Sequence, residues 1–359
     1  MDISSLFGSH ANATDSRGAT GLYTICPVLV ASNIAVEMGW LDEECARAGV
    51  RLDYLRSLPD NAGWLSHFRH SVPTLLRDGG AITTLWGRSQ GVDTVLIAVS
   101  PTQTGGQVLT KADSDIATPA GLAGRRIALP LNQNPALPDF SRAIAEHGMG
   151  AALKQAGLCW DAMSVIDIPL HHATPSLRPA ARPADLWAQL SALQRGAADP
   201  EAQAVLDGRA DALFSYAGRT AALVASGRFK VLADLSEQYG GPGQISNGPY
   251  TMAVNREFAQ AQPAAVVAFL RAAIRGARWI DANRDEAAQM FTRMTYYHDA
   301  ETARRAIGAR DFTPTLSDAP LRDLEWLKNW LAKRGYLGND FSLSEWVDSR
   351  YLDEALAGL

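Results

Sequence analysis

Cysteine is scarce in this 359-residue chain: Cys26, Cys45 and Cys159 stand far apart in sequence. Three such residues make neither a disulfide framework nor a metal knuckle, and they suit a reducing compartment. No stretch approaches the ~18 uninterrupted apolar residues of a membrane span. Basic blocks are missing too, since 33 Lys and Arg are set against 38 Asp and Glu for a net charge of −5 spread along the chain. That balance argues against nucleic acid as the principal partner. Residues Met1 to Ala13 lack the basic and apolar regions of a secretory signal, so a cytoplasmic protein is expected. The loop Gly240-Gly241-Pro242-Gly243 fits no dinucleotide or P-loop pattern. His171 and His172, adjacent on an extended stretch, point to opposite faces and have no carboxylate at ligand spacing, so no metal is called for.

What the chain does have is core material. A hydrophobic content of 47% over this length supports one two-lobed protein or two domains. Residues 1 to about 18 read as a loose arm. Then come a strand from Gly21 to Ile25, a helix from Val28 to Met38 stopped by Gly39, a second short helix from Trp40, and a strand from Val50 to Leu55, a βαβ unit. Cys45 lies on the connecting helix and reads as packing. Further strands are expected at Thr94–Ser100, Gln107–Thr110, after the turn and charged pair in Thr118–Pro130, at Ser164–Ile168, after the helix and turn in Ala202–Tyr216, and at Val231–Leu235, with helices between them, and the chain returns to the first lobe at Asn247 to Val254. His171 to Pro183 reads as a Pro-rich irregular insertion. From Pro263 the chain is helical, with Trp326, Leu327 and Trp330 at core spacing on one helix. Alternating strands and helices predict an α/β fold of two parallel-sheet lobes, with lobe I at 1–112 and 250–359 and lobe II at 113–249. A ligand then lies in the cleft between lobes, where strand ends and helix N-termini favour anions.

The most informative stretch is Tyr23-Thr24-Ile25-Cys26-Pro27-Val28. Proline suits the first helical position, so Cys26 is expected at the helix N-cap, where partial positive charge favours an ionised sulfur. Burial between strand and helix is the competing explanation, because free cysteines are among the most buried residues.

Gly121 to Ile127, Gly208 to Tyr216 and the stretch from Tyr250 to Phe291 resemble the type II periplasmic-binding-protein fold of sulfonate, nitrate and thiamine-precursor binders. A narrower pattern, Tyr23 to Val28 with His67-Phe68, Pro73, Arg77 and Gly79-Gly80, resembles the 2'-hydroxybiphenyl-2-sulfinate desulfinase family. That resemblance implies hydrolysis of an aryl sulfinate to the arene and sulfite. Cys26, His67 and Arg77 match the family's catalytic positions, and Gly80 matches the glycine whose backbone helps hold the sulfinate. The family's pattern departs from this chain at Arg69 to Val72 and around His171 to Arg182.

The chemistry needs an anion-holding site, a proton for the ipso carbon and a route for sulfite to leave. Arg77 suits the first, since a guanidinium can donate two parallel hydrogen bonds to a sulfinate. His67, with His70 as a competitor, is placed to hydrogen-bond Cys26. Cys26 serves either as general acid or as a nucleophile on sulfur. Thr24, Gly79, Gly80 and His70 are expected around the ligand, with Trp64, Phe68 and Trp86 as candidate ring walls. No metal or organic cofactor is implied, and the partner is a small aromatic sulfinate. Two other readings of the fold are a non-catalytic binder of a small aromatic or sulfonate anion and, lower, a thiamine pyrimidine synthase, whose cysteine-rich iron motif is absent. The sequence is silent on oligomeric state, with a monomer as the default.

Overall fold

Strand β1 (Thr20–Ile25) is the first element of a computed structural model that describes residues 20–100, 105–171, 175–194, 199–216, 218–235 and 248–358. The arm at 1–18, the loop residues 101–104, His172 and the glycine loop 240–243 lie outside the described residues. β1 pairs in parallel with β2 (Arg51–Tyr54) and β3 (Leu75–Gly79). β4 (Thr94–Ser100) and the antiparallel β10 (Tyr250–Asn255) complete a sheet ordered β2-β1-β3-β10-β4. The second sheet repeats that plan as β7-β6-β8-β5-β9, built from β5 (Gln107–Lys111), β6 (Arg126–Asn132), β7 (Ser164–Leu170), β8 (Ala212–Ser215) and β9 (Phe229–Asp234). Here β5 is the antiparallel member.

Each sheet is therefore mixed rather than purely parallel, with β10 the reversed strand of the first and β5 that of the second. The first crossing falls before Gln107, so β5, which the span 1–112 assigned to lobe I, belongs to the second sheet.

Helix Pro263–Ala282 covers the first sheet, starting with proline at its first turn and burying an alanine-rich face that includes Ala268, Ala272 and Ala273. It crosses the helix Ala31–Glu37 so closely that a Cβ on Gly276 would stand 2.4 Å from the Ala31 carbonyl oxygen. Only glycine fits there. Near the C-terminus, helix Asp318–Lys333 buries Leu324, Leu327 and Leu331, while Trp326 and Trp330 flank that stripe and pack on His147 with ring centroids 5.0 and 4.9 Å away. His147 belongs to helix Phe140–Gln155 of the second lobe, so this helix ties the lobes together. The irregular stretch after β7 returns to the first lobe: Ala180 N–H donates to the Arg56 carbonyl at 2.9 Å, and Asn61 Nδ2 donates to the Pro175 carbonyl at 2.8 Å. No described helix is long and apolar enough to cross a membrane.

Candidate active site

Side chains two apart on a strand share a face, so Thr24 and Cys26 project together at the end of β1. Their parallel neighbour β3 sets Arg77 opposite Thr24, which leaves Gly79 beside Cys26. The missing side chain is required: a Cβ on Gly79 would lie 2.3 Å from Cys26 Sγ and 2.6 Å from its Cβ, and φ is +150°. Cys26 N–H is fixed by the Asp78 carbonyl at 2.9 Å.

Cys26 is not a helix N-cap. The chain turns after it, and the helix begins at Ala31 with Val30 as its N-cap. Asn33, inside that helix, donates its amide to the carbonyls of Cys26 and Val28 at 3.0 and 2.9 Å, and this side chain holds the turn that the proline alone suggested would be helical.

Three groups converge on the sulfur's surroundings. His67, on helix Trp64–Arg69, brings Nε2 to 3.5 Å from Cys26 Sγ, while its Nδ1 lies 2.7 Å from Thr24 Oγ1. Arg77 donates through Nη2 to Cys26 Sγ at 3.2 Å. Its remaining N–H groups go to the His67 carbonyl at 2.9 Å, to Gly80 O and Thr84 Oγ1 at 3.1 and 2.7 Å, and to Thr83 Oγ1. A guanidinium has five N–H donors, and these five acceptors use all of them. The fully buried Arg77 is thus a clamp on Cys26, His67 and the start of helix Ala81–Ser89 rather than an open fork. Gly80 is the N-cap of that helix.

Burial, followed by the nearby charges of Arg56 and Arg77, holds the His67 imidazole well below its ordinary pKa. His67 is therefore neutral in the resting site. Two proton arrangements satisfy the chain: Thr24 O–H to Nδ1 with Nε2–H to sulfur, or S–H to Nε2 with Nδ1–H to Thr24.

Around this centre lie aromatic rings. Phe68 meets His67 edge-on with centroids 4.9 Å apart, touches Trp64 at 5.7 Å, and stacks at 6.0 Å and 13° on Phe140, the first residue of helix Phe140–Gln155 in the other lobe. Tyr296, 37% exposed and packed edge-on against Trp187 at 4.9 Å, is close enough to Tyr216 and Cys26 to feel their charges. Trp86 is half-buried further along helix Ala81–Ser89.

His70 does not join the group. It closes helix Trp64–Arg69 in the left-handed region at φ 52°, is buried, and pairs Nε2 with the Leu75 carbonyl at 2.9 Å. Burial brings its pKa down to about 4. Cys45 is buried in the core, with its thiol pushed up to about 12 mainly by burial, while Cys159 is exposed. His171 is exposed, and no group of metal-binding side chains occurs among the described residues.

Sequence reasoning missed Thr83, Thr84, Arg56, Phe140 and Tyr296. The two threonines had a signal, since Gly79-Gly80-Ala81-Ile82-Thr83-Thr84 puts hydroxyls in the first turn of a helix that a diglycine opens. The others had none, because only the tertiary fold brings them here.

Two five-stranded mixed sheets, each carrying one strand of reversed direction, define a type II periplasmic-binding-protein-like fold with the Cys/His/Arg group at the strand ends of one lobe. Solved structures bear this out. The chain is similar to the desulfurization enzyme DSZB at 22% identity and TM-score 0.70, covering 95% of this chain and 99% of that one. It is similar to a Cys-to-Ser variant of DSZB in complex with biphenyl-2-sulfinic acid, at 21% identity and TM-score 0.71 with the same coverage. The periplasmic aliphatic sulphonate binding protein SsuA from Escherichia coli matches at 15% identity and TM-score 0.62, over 92% of each chain. No protein-family model and no curated protein matches.

Proposed function

We propose that this protein is a desulfinase that hydrolyses an aryl sulfinate to the arene and sulfite. The observation that carries the reading is the convergence of His67 Nε2 and Arg77 Nη2 on Cys26 Sγ, at 3.5 and 3.2 Å. The chain shares its fold with an enzyme seen holding biphenyl-2-sulfinic acid, which supports the choice of ligand class.

The balance is ArSO2⁻ + H2O → ArH + HSO3⁻. The C–S bond breaks, the ipso carbon gains a proton, and water supplies the hydroxyl that ends on sulfur. Cys26 is the group that acts at this bond. As an acid it gives its proton to the ipso carbon and recovers one from water. As a nucleophile it bonds to sulfur, and water then displaces it. His67 relays the proton in either route, Thr24 orients the imidazole, and Arg77 holds the sulfur in place. The uncapped start of helix Ala81–Ser89 adds partial positive charge beside the sulfinate. The ring of the substrate packs against Phe68 and Trp64, in a cleft that the second lobe's Phe140 closes to water. A reducing compartment keeps such a thiol free, and the cytoplasm is the location this reading proposes.

Sulfite release from biphenyl-2-sulfinate and 2'-hydroxybiphenyl-2-sulfinate tests this. Turnover by the wild type and none by Cys26→Ser is the expected result. A non-catalytic binder of sulfonates would instead bind these anions without releasing sulfite. Intact-mass analysis after rapid acid quench separates the two routes, since only the nucleophilic one leaves an adduct on Cys26.

A further inference from the structure

Arg77, which the sequence offered as the sulfinate fork, has no N–H left to give. A second guanidinium near His67 and Cys26 has the opposite character. Arg56 sits in the 3-10 turn Leu55–Ser57 that follows β2, and the residue is only 6% exposed. Its Nε and Nη1 are buried without any hydrogen-bond partner. Among the described residues no carboxylate pairs with it. A buried cation without hydrogen bonds is strongly unfavourable, because its N–H groups have lost their water and gained no acceptor in return.

Its position is well defined nonetheless. The guanidinium carbon lies 4.5 Å above the Trp64 ring, so the aromatic face holds the cation while leaving its edge, which carries the N–H groups, unoccupied. The backbone of the same residue is held by Ala180, whose N–H donates to the Arg56 carbonyl where the stretch after β7 packs back on the first lobe. Arg56 lies close enough to His67 and Cys26 to act on both electrostatically, and for His67 its effect exceeds that of Arg77.

We propose that Arg56 is the residue that receives the anionic head group of the ligand, presenting to a sulfinate the donors that Arg77 has spent on Cys26, His67, Gly80 and the two threonines. In this arrangement Arg77 positions the sulfur and Arg56 binds the substrate. The Trp64 ring that holds Arg56 also borders Phe68, so one wall carries both the cation and the surface for the arene. Burial is the main reason His67 resists a proton, and an anion bound at Arg56 offsets the larger of the two neighbouring charges that add to it, which couples substrate binding to the readiness of His67 to take a proton.

The inference rests on the desulfinase reading for the identity of the anion, and its test is separable from turnover. Benzenesulfinate is titrated calorimetrically into Cys26→Ser protein and into the same protein with Arg56→Met or Arg56→Lys added. Methionine keeps length and apolar packing without charge. The expected result is a loss of at least about thirtyfold in affinity for Arg56→Met, with partial recovery for Arg56→Lys and a weaker salt dependence in the methionine variant. The ligand-free melting temperature of Arg56→Met is expected to match or exceed that of its parent, while the upward shift that benzenesulfinate induces in the parent is lost. Unchanged affinity in Arg56→Met overturns the proposal. So does a large drop in its ligand-free melting temperature, which would show that Arg56 is a structural residue. A wild type that binds benzenesulfinate through Arg56 yet releases no sulfite would sink the desulfinase reading and leave this one standing.

Discussion

Replacing Gly79 by alanine puts one methyl group into the contact on which the site depends. An ideal Cβ there would lie 2.3 Å from Cys26 Sγ and 2.6 Å from Cys26 Cβ, at a backbone φ of +150°. Ordinary contacts between such atoms are about 3.5–4 Å, so the sulfur must retreat by more than about 1 Å. The neighbours cannot absorb this, because Cys26 N–H is tied to Asp78 and its carbonyl to Asn33. Overpacking and the strained φ together cost about 2–5 kcal/mol of stability. The contacts from His67 at 3.5 Å and Arg77 at 3.2 Å are lost at that displacement. An error of about 1 Å in a reacting group lowers turnover by about a hundredfold. Urea melts and sulfite-release kinetics read the two effects separately. Cys26→Gly in the Gly79→Ala background removes both clashing atoms, and the next nearest atom is the Cys26 nitrogen, 3.3 Å away. A stability cycle over the two sites is therefore expected to show coupling above about 1 kcal/mol. Wild-type midpoint and turnover in Gly79→Ala, or additivity within about 0.5 kcal/mol, would refute the geometry.

Arg77→Lys leaves at most three donors for five acceptors, stranding buried carbonyl and hydroxyl oxygens; a loss of about 3 kcal/mol or more in urea unfolding is expected, and a smaller one would show that the clamp is not structural. Thr24→Val keeps the shape but removes the 2.7 Å contact to His67 Nδ1, so sulfite release is expected to fall about tenfold or more while the melting temperature stays within a few degrees. His147, packed on Trp326 and Trp330, has its pKa brought down to about 4 by burial. The unfolded chain takes that proton near pH 6.5 and the folded one resists it, so its contribution is complete above about pH 6.5 and lost as pH falls toward 4. Relative to His147→Phe, the wild type is expected to lose about 2 kcal/mol between pH 7.5 and pH 5; a pH-independent difference would contradict the burial argument.

Much of the fold was readable because periodicity and punctuation are local. The strand around Gly21–Ile25, the helix from Pro263 and the repeating strand–helix alternation all emerged from apolar spacing and from prolines and glycines at element ends. β3 was not delimited, although it carries Arg77. Its five residues, Leu75-Leu76-Arg77-Asp78-Gly79, are all buried, and two charges in so short a run mask the strand pattern. The false helix start at Pro27 has a similar origin. Proline suits the first helical turn in general, but here the side chain of Asn33 holds residues 26 to 30 in a turn.

By itself the sequence determined the class of fold and the presence of a cysteine, a histidine and an arginine in an arrangement worth testing. The fold class follows from the alternation of strands and helices, and the three residues from their match to the positions of the family the chain resembles. Which N–H groups are free was decided only by the tertiary structure. Arg56 and Arg77 are the same residue type, and in one dimension only Arg77 stands out, as the arginine expected to hold the anion. Packing surrounds Arg77 with five oxygen and sulfur acceptors and leaves Arg56 on a tryptophan face with none. The reason is physical: a donor's availability is set by what the fold places within about 3 Å of it, and that neighbourhood is assembled from segments far apart in sequence.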